Sequence, residues 1–290
     1  MTAGTASSAS PLRSAGRAAG RLVGGPLAML EDLGRQLAFH ARALGWSWRV
    51  VLRYKAEVAR LLAEVSLGTG GLAVIGGTVV IVAFMTFFTG TEVGLQGYNA
   101  LNQIGTEAFT GFVSAYFNTR EIAPIVAALA LSGTVGCGFT AQLGSMRISE
   151  EIDALEVMGV PSVPFLVTTR IIAGLVAVVP LYVIGLLSSF LSTRLIVTLY
   201  FRQSVGTYDH YFNLFLPPYD VLWSFGKVLL FSLVITMIHC YYGYNATGGP
   251  AGVGVAVGRS IRASIVTVSA LDLLLGMAIW GSTTSVRIAG

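Results

Sequence analysis

Four carboxylates fall close together at Glu150, Glu151, Asp153 and Glu156, directly after a serine, Ser149. Ser149 is a good N-cap, and acids in a first turn suit the helix dipole. Gly159 and Pro161 are stop signals, so 149–159 is expected to be one short acidic helix. Ile152, Leu155 and Met158 would form its apolar stripe. Such a helix is either a solvated surface element or a dock for a partner, and residue types leave both open. A second polar pair, Arg120-Glu121, precedes Pro124. A guanidinium offers a planar fork of donors for a phosphate or carboxylate. The same pair could instead act as an interfacial anchor that sets helix depth. Asp272 stands alone in an otherwise apolar run, which asks for a polar contact on a neighbouring helix; proton coupling is the alternative.

Other chemistries lack their residues. The lysines, Lys55 and Lys227, are not in a Gly-Lys-Ser/Thr context, so the chain has no P-loop. His40, His210 and His239 are scattered, without metal-ligand spacing. His239 is read as a packed, hydrogen-bonded histidine, with a proton relay as the alternative. Cys137 and Cys240 read as small packing residues. No nucleophile stands beside a base. No metal, cofactor or nucleic-acid partner is expected, and the chain is not expected to be an enzyme.

The elements that position these residues follow from composition. Of 290 residues 54% are apolar and 11% charged, where soluble domains carry about 25% charged residues. Charge-free gaps run from Glu64 to Glu92, Glu121 to Arg147, Arg170 to Arg194 and Lys227 to Arg259. About 20 apolar residues cross hydrocarbon, so each gap holds a span. A fifth, roughly 263–283, is broken only by Asp272. The fold class is therefore all-α integral membrane, with about five transmembrane helices. Residues 1–26 form a flexible basic tail, 27–65 an amphipathic interfacial helix and 66–290 the membrane domain. On the interfacial helix Leu30, Leu33, Leu37, Leu44, Trp48 and Leu52 share one face, opposite Arg35, Arg42 and Arg49. Segment 92–121 reads as outside or re-entrant, and 201–220 as an outer loop stopped by Pro217-Pro218. Nine of the 18 basic residues precede the first span, and Arg147, Arg170, Arg259 and Arg262 fall in loops on the same side. The positive-inside rule then puts the N-terminus in the cytoplasm and the C-terminus outside the plasma membrane. In the second span, Ser132, Gly136, Thr140 and Gly144 form one small-residue ridge, and Gly133, Cys137, Ala141 and Ser145 another. Small residues let backbones touch in lipid, so this helix should be central.

The runs Gly94-Leu-Gln-Gly-Tyr98, Arg120-Glu-Ile-Ala-Pro124, Thr140-Ala-Gln-Leu-Gly-Ser-Met146 and Glu151-Ile-Asp-Ala-Leu-Glu-Val-Met-Gly159 resemble the MlaE/YrbE permease family in order and spacing. Residues Gly243 to Gly258 are similar to its glycine-rich inner loop, and Asp272 falls where the family has an aspartate. The basic tail and His239-Cys-Tyr-Tyr-Gly-Tyr244 look most like the YrbE subunits, B-type, of actinobacterial Mce systems. The resemblance implies the permease subunit of an ABC-type lipid transporter. It would pair with a related permease, rest on a cytosolic ATPase dimer and serve MCE-domain proteins outside the membrane. It makes 149–159 the coupling helix, with Glu150, Glu151, Asp153, Leu155 and Glu156 meeting the ATPase, and puts Gln96, Tyr98, Arg120 and Glu121 along the lipid path. Where some relatives have an intramembrane arginine and glutamate, this chain has Thr134 and Gln142. An ion-coupled carrier using Asp272 and His239, or a lipid-modifying enzyme in the membrane, are the rival readings.

Overall fold

The computed structural model describes residues 31, 33–67 and 77–281. The basic tail 1–26 and the start of the interfacial helix lie outside the described residues. The chain divides into two compact units, one ending at Gly45 and one beginning at Trp46. In the first, residues 33–45 form helix α1, on which Leu33, Leu37 and Leu44 are exposed. The rest comprises α2 (Ser47–Arg53), α3 (Lys55–Leu67), α4 (Thr78–Asn102), α5 (Glu107–Ile148), α6 (Glu151–Val157), α7 (Val163–Tyr200), α8 (Val205–Leu214), α9 (Pro218–Tyr244) and α10 (Gly249–Trp280).

Five helices, α4, α5, α7, α9 and α10, are long and apolar enough to cross a membrane. Among the described residues there are no strands. With about 20 residues needed for hydrocarbon, the 42 residues of α5 and 38 of α7 run beyond it. The expected single interfacial helix is broken. Tyr54, at φ −116° and ψ 38°, separates α2 from α3 and sets its ring edge-on against Phe165 of α7, 5.3 Å away. Val50 and Leu61 are buried by the same packing, while Trp48 and Leu52 stay exposed.

Segment 92–121 is helical apart from one turn. Residues 92–102 complete α4, Gly105 turns the chain at φ +69°, and α5 begins at Glu107. Charged Glu92 ends the apolar gap without ending the helix, because its carboxylate takes a hydrogen bond from Gln96 Nε2 at 2.8 Å. Pro124 likewise does not start a span. It lies inside α5 after a π-helical stretch, Ser114–Ile122. Pro218, by contrast, sits in the first turn of α9, where its fixed φ suits a helix start.

Small residues, and hydroxyls of α7 that donate to carbonyls of α4, hold α4 to α7. Gly90 backs onto Ser189 and Ser192, Gly94 onto Thr193, and Gly185 onto Val82 and Thr86. Thr193 Oγ1 donates to the Gly90 carbonyl at 2.7 Å, and Ser188 Oγ to the Ala83 carbonyl at 2.8 Å. Of the five spans α5 is the most buried and α10 the least, so α5 is central. Its two small-residue ridges have different fates. Gly136 backs onto His239, Thr140 is fully buried and Gly144 backs onto Val253 of α10. Gly133, expected to pack, has nothing within 4 Å, and Ala141 and Ser145 of its ridge are exposed. Adjacent ridges point about 100° apart on a helix, so the neighbours that bury one leave the other bare.

The glycine-rich stretch before the last span is not all loop. Gly248 and Gly249 turn the chain with positive φ, and α10 then starts at Gly249 with Pro250 in its first turn. At the other end of the spans, α8 packs on α5 with Gly111 against the Tyr208 backbone. Burial there pushes the Tyr208 phenol up to about 12, which keeps it neutral.

Candidate functional site

Polar clusters lie within the bundle, three of them joining side chains from three helices each. The first joins α5, α9 and α10. Asp220, Ser224 and Lys227 stand at i, i+4 and i+7 on α9, one stripe of a helix. Arg120 donates to Asp220 Oδ2 through Nε at 2.9 Å and through Nη2 at 2.6 Å, and Trp280 Nε1 donates to Asp220 Oδ1 at 3.0 Å. The guanidinium also lies 4.0 Å from the Tyr116 ring centroid and 5.1 Å from that of Trp280. Lys227 Nζ is 2.7 Å from Asp272 Oδ1 and 3.4 Å from Glu121 Oε1, and it donates to the Arg120 carbonyl at 2.7 Å. Asp272 therefore has a structural contact with a neighbouring helix. Gly276 leaves room for Glu121, whose Oε1 would lie 3.3 Å from a Cβ there. A cavity of about 390 Å³ opens beside these groups, lined by Tyr116, Arg120, Glu121, Asp272, Gly276 and Trp280 among others.

This geometry changes the picture of Arg120. Its side chain is 6% exposed and paired with Asp220 at the edge of the cavity it helps to line. Glu121 does not orient Arg120; it faces Lys227 and the cavity, with 36% of its side chain exposed. Gln96 and Tyr98 lie elsewhere, Gln96 bonded to Glu92 and Tyr98 stacked on Phe201 at 3.9 Å. The structure thus splits the four lipid-path residues into two places.

The second cluster surrounds His239, which is packed and hydrogen-bonded. Its Nε2 meets Ser132 Oγ at 3.0 Å and its Nδ1 meets Thr140 Oγ1 at 2.9 Å. Thr140 also contacts Ser260 Oγ of α10 at 3.2 Å. A neutral imidazole carries one donor and one acceptor, which the two hydroxyls match. A Cβ at Gly136 would sit 2.6 Å from the ring, so glycine there is a condition of the contact.

The third cluster explains Gln142. Arg170, 3% exposed, donates to the Leu166 carbonyl at 2.7 Å and to Gln142 Oε1 at 3.2 Å, and lies 5.6 Å from the Phe139 ring centroid. Gln142 Nε2 in turn donates to Glu64 of α3. An amide can accept from a cation and donate to a carboxylate at once, which an ionised carboxylate at the same position cannot. Gln142→Glu is therefore expected to loosen α3, because two carboxylates then face each other. Amide hydrogen exchange over Lys55–Leu67 should quicken, and adding Glu64→Gln should slow it again. Unchanged exchange in the single variant would dismiss the relay.

Helix α6 forms between α5 and α7, but Ser149 is not its N-cap. Ser149 ends the preceding turn, with its N–H on the Ser145 carbonyl and its hydroxyl donating to Glu151. Glu150 takes the cap position at φ +62°. Gly159 closes the helix at φ +74°: its N–H bonds the Glu156 carbonyl and the Val160 N–H bonds the Leu155 carbonyl, both at 3.0 Å, the Schellman pattern. Asp153 is engaged with Arg147 at 2.7 Å, and Glu156 accepts from Ser162 Oγ at 2.6 Å. Ile152 is buried and Leu155 half-buried, but Met158 leaves the stripe because the helix has ended. Val157 and Met158 are 89% and 68% exposed, beside exposed Glu150 and Glu151.

Long apolar helices, locked through small residues and sealing their ion pairs among themselves, define a polytopic α-helical membrane protein. The chain belongs to the MlaE permease family: the family profile described as Permease MlaE matches residues 70–278. It is 31% identical over 194 residues to a probable ABC transporter permease protein of Rickettsia bellii, covering 67% of this chain and 73% of that one. It is 25% identical over 255 residues to the intermembrane phospholipid transport system permease protein MlaE of Haemophilus influenzae, covering 87% and 98%. The chloroplastic protein trigalactosyldiacylglycerol 1 of Arabidopsis thaliana is 28% identical over 188 residues, covering 65% and 54%.

Proposed function

We propose that this chain is the permease subunit of an ABC-type lipid transporter of the Mla/Mce kind, carrying lipid between the plasma membrane and extracytoplasmic MCE-domain proteins. A cytosolic ATPase dimer supplies the energy, and a related permease, as expected for a B-type YrbE subunit, completes the membrane pair. The N-terminus is cytoplasmic and the C-terminus extracytoplasmic. The observation that carries this reading is α6. It is a short helix between two spans, closed at its C-terminal end by Gly159, that ends in exposed apolar residues next to Glu156. An exposed valine and methionine side by side at a helix end suit a partner's apolar groove. The bare Gly133 ridge of α5 supports a second permease. The open cavity beside Glu121 supports a lipid path at that level.

All four acids are exposed for contact, and Glu151, Asp153 and Glu156 also take bonds from Ser149, Arg147 and Ser162. Val157→Asp with Met158→Asp should release the ATPase while the permease still inserts and remains monodisperse. Losing a well-buried contact of this kind costs about 2–4 kcal/mol. Glu151→Lys should weaken the same contact through charge. If the ATPase co-purifies at the unaltered level with both variants, α6 is not the dock. If no ATPase co-purifies with the unaltered chain from native membranes, the ABC reading itself fails.

A further inference from the structure

Pro124 follows a π-helical stretch in which the N–H of Ala123 reaches back five residues to the Asn118 carbonyl. An ordinary residue at 124 would donate to Thr119 at the same spacing, or to Arg120 at α-helical spacing. Proline has no N–H and can do neither. Both carbonyls instead receive donors from α9. Ser224 Oγ donates to Thr119, and Lys227 Nζ donates to Arg120 at 2.7 Å. Ser224 and Lys227 are buried and one turn apart on the face of α9 that meets α5, and the longer lysine side chain reaches the carbonyl next to Thr119. Lysine has three donors; here the ammonium donates to the Arg120 carbonyl and to Glu121 and is ion-paired with Asp272.

We infer that Ser224 and Lys227 replace the backbone donor that Pro124 removes. In this way α9 holds the open turn of α5 and fixes the position of Arg120 and Glu121 beside the cavity. Lys227 is then a helix cap as well as a counter-ion, and both residues are positioning residues. The turn cannot slide along α9 without losing both donors at once. The inference does not depend on what passes through the cavity.

Suppression by Pro124→Ala tests it, because alanine restores an N–H without touching α9. Ser224→Ala, which changes no charge, should lower the thermal midpoint in nanodiscs by about 5 °C. Adding Pro124→Ala should recover part of that loss. Recovery is incomplete because the Tyr182 hydroxyl, which also meets Ser224, loses its partner either way. Lys227→Met is made where Glu121→Gln and Asp272→Asn have removed the ion pairs. It should still lower the midpoint there, and Pro124→Ala should offset the loss. A third readout separates positioning from general stability. Trp280 does not contact Ser224, but it touches Arg120 and Asp220. With Trp46, Trp48 and Trp223 replaced by phenylalanine, Ser224→Ala should shift Trp280 emission and Pro124→Ala should return it. The inference is overturned if Pro124→Ala rescues neither variant. It is also overturned, for Lys227, if Lys227→Met costs nothing once both acids are neutral, since the lysine is then a counter-ion only.

Discussion

Arg120→Ala is expected to lower the stability of the folded chain by about 3–5 kcal/mol, the usual cost of orphaning one member of a buried ion pair. The cost falls on the residue left behind. Asp220, 7% exposed, would keep only the Trp280 indole as donor. The guanidinium also fills the space between Tyr116 and Trp280, which alanine would empty. Arg120→Lys should recover little, since a single ammonium cannot reproduce two N–H groups converging on Asp220 Oδ2. Replacing both partners, as Arg120→Met with Asp220→Leu, should restore most of the stability, because paired apolar groups avoid desolvation. Thermal unfolding of the three variants and the unaltered chain in nanodiscs decides the matter. Arg120→Ala melting with the unaltered chain would mean that the pair holds nothing together.

Gly90→Val should be nearly as damaging. Its Cβ would lie 2.3 Å from Ser192 Oγ and 2.5 Å from the Ser189 carbonyl. A hydroxyl can rotate away, but a helix carbonyl cannot. The two longest-packed spans, α4 and α7, must therefore separate, and Thr193 loses its bond to the Gly90 carbonyl. Overpacking of this kind costs about 1–3 kcal/mol, occasionally more. Gly133→Val is the comparison, since nothing lies within 4 Å of that position. It should leave the isolated chain's melting unchanged while disturbing its pairing with a second permease. Size-exclusion profiles and melting curves read the two effects separately. Equal melting of Gly90→Val and the unaltered chain would contradict the close approach of α4 and α7.

What could be read in the sequence depended on whether the signal was local. The spans were legible because charge-free runs report burial in lipid directly, and Pro218 reported a helix start. Glu92 and Pro124 misled because each is normally a boundary, and here a side chain on the same or a neighbouring helix satisfies it. Ser149 misled because the chain had not left α5 when it reached a good capping residue. Asp272 could be identified as needing a partner, but its partner is 45 residues away in sequence. Lys227 and Asp220 carried a usable signal that was missed: with Ser224 they make one polar stripe on an apolar helix. Arg120 and Glu121 are adjacent and were read as acting together, yet neighbours on a helix point in different directions. The structure sends one to Asp220 and the other to Lys227 and the cavity.

The separation of these ion pairs along the chain has a consequence for biosynthesis. Asp220 follows Arg120 by 100 residues. At about 5–20 residues per second, Arg120 is made roughly 5–20 s before its partner exists. An unpaired arginine costs about 2.5–3.5 kcal/mol at the bilayer centre on the most lenient scale and less towards the headgroups, so α5 gains by staying in contact with protein or water during that interval. Lys227 then waits a further 45 residues for Asp272. The nascent spans must therefore be retained beside the insertion machinery and released together. A ribosome stalled between α7 and α9 should hold α5 at that machinery, with its arginine still in contact with protein or water rather than with acyl chains.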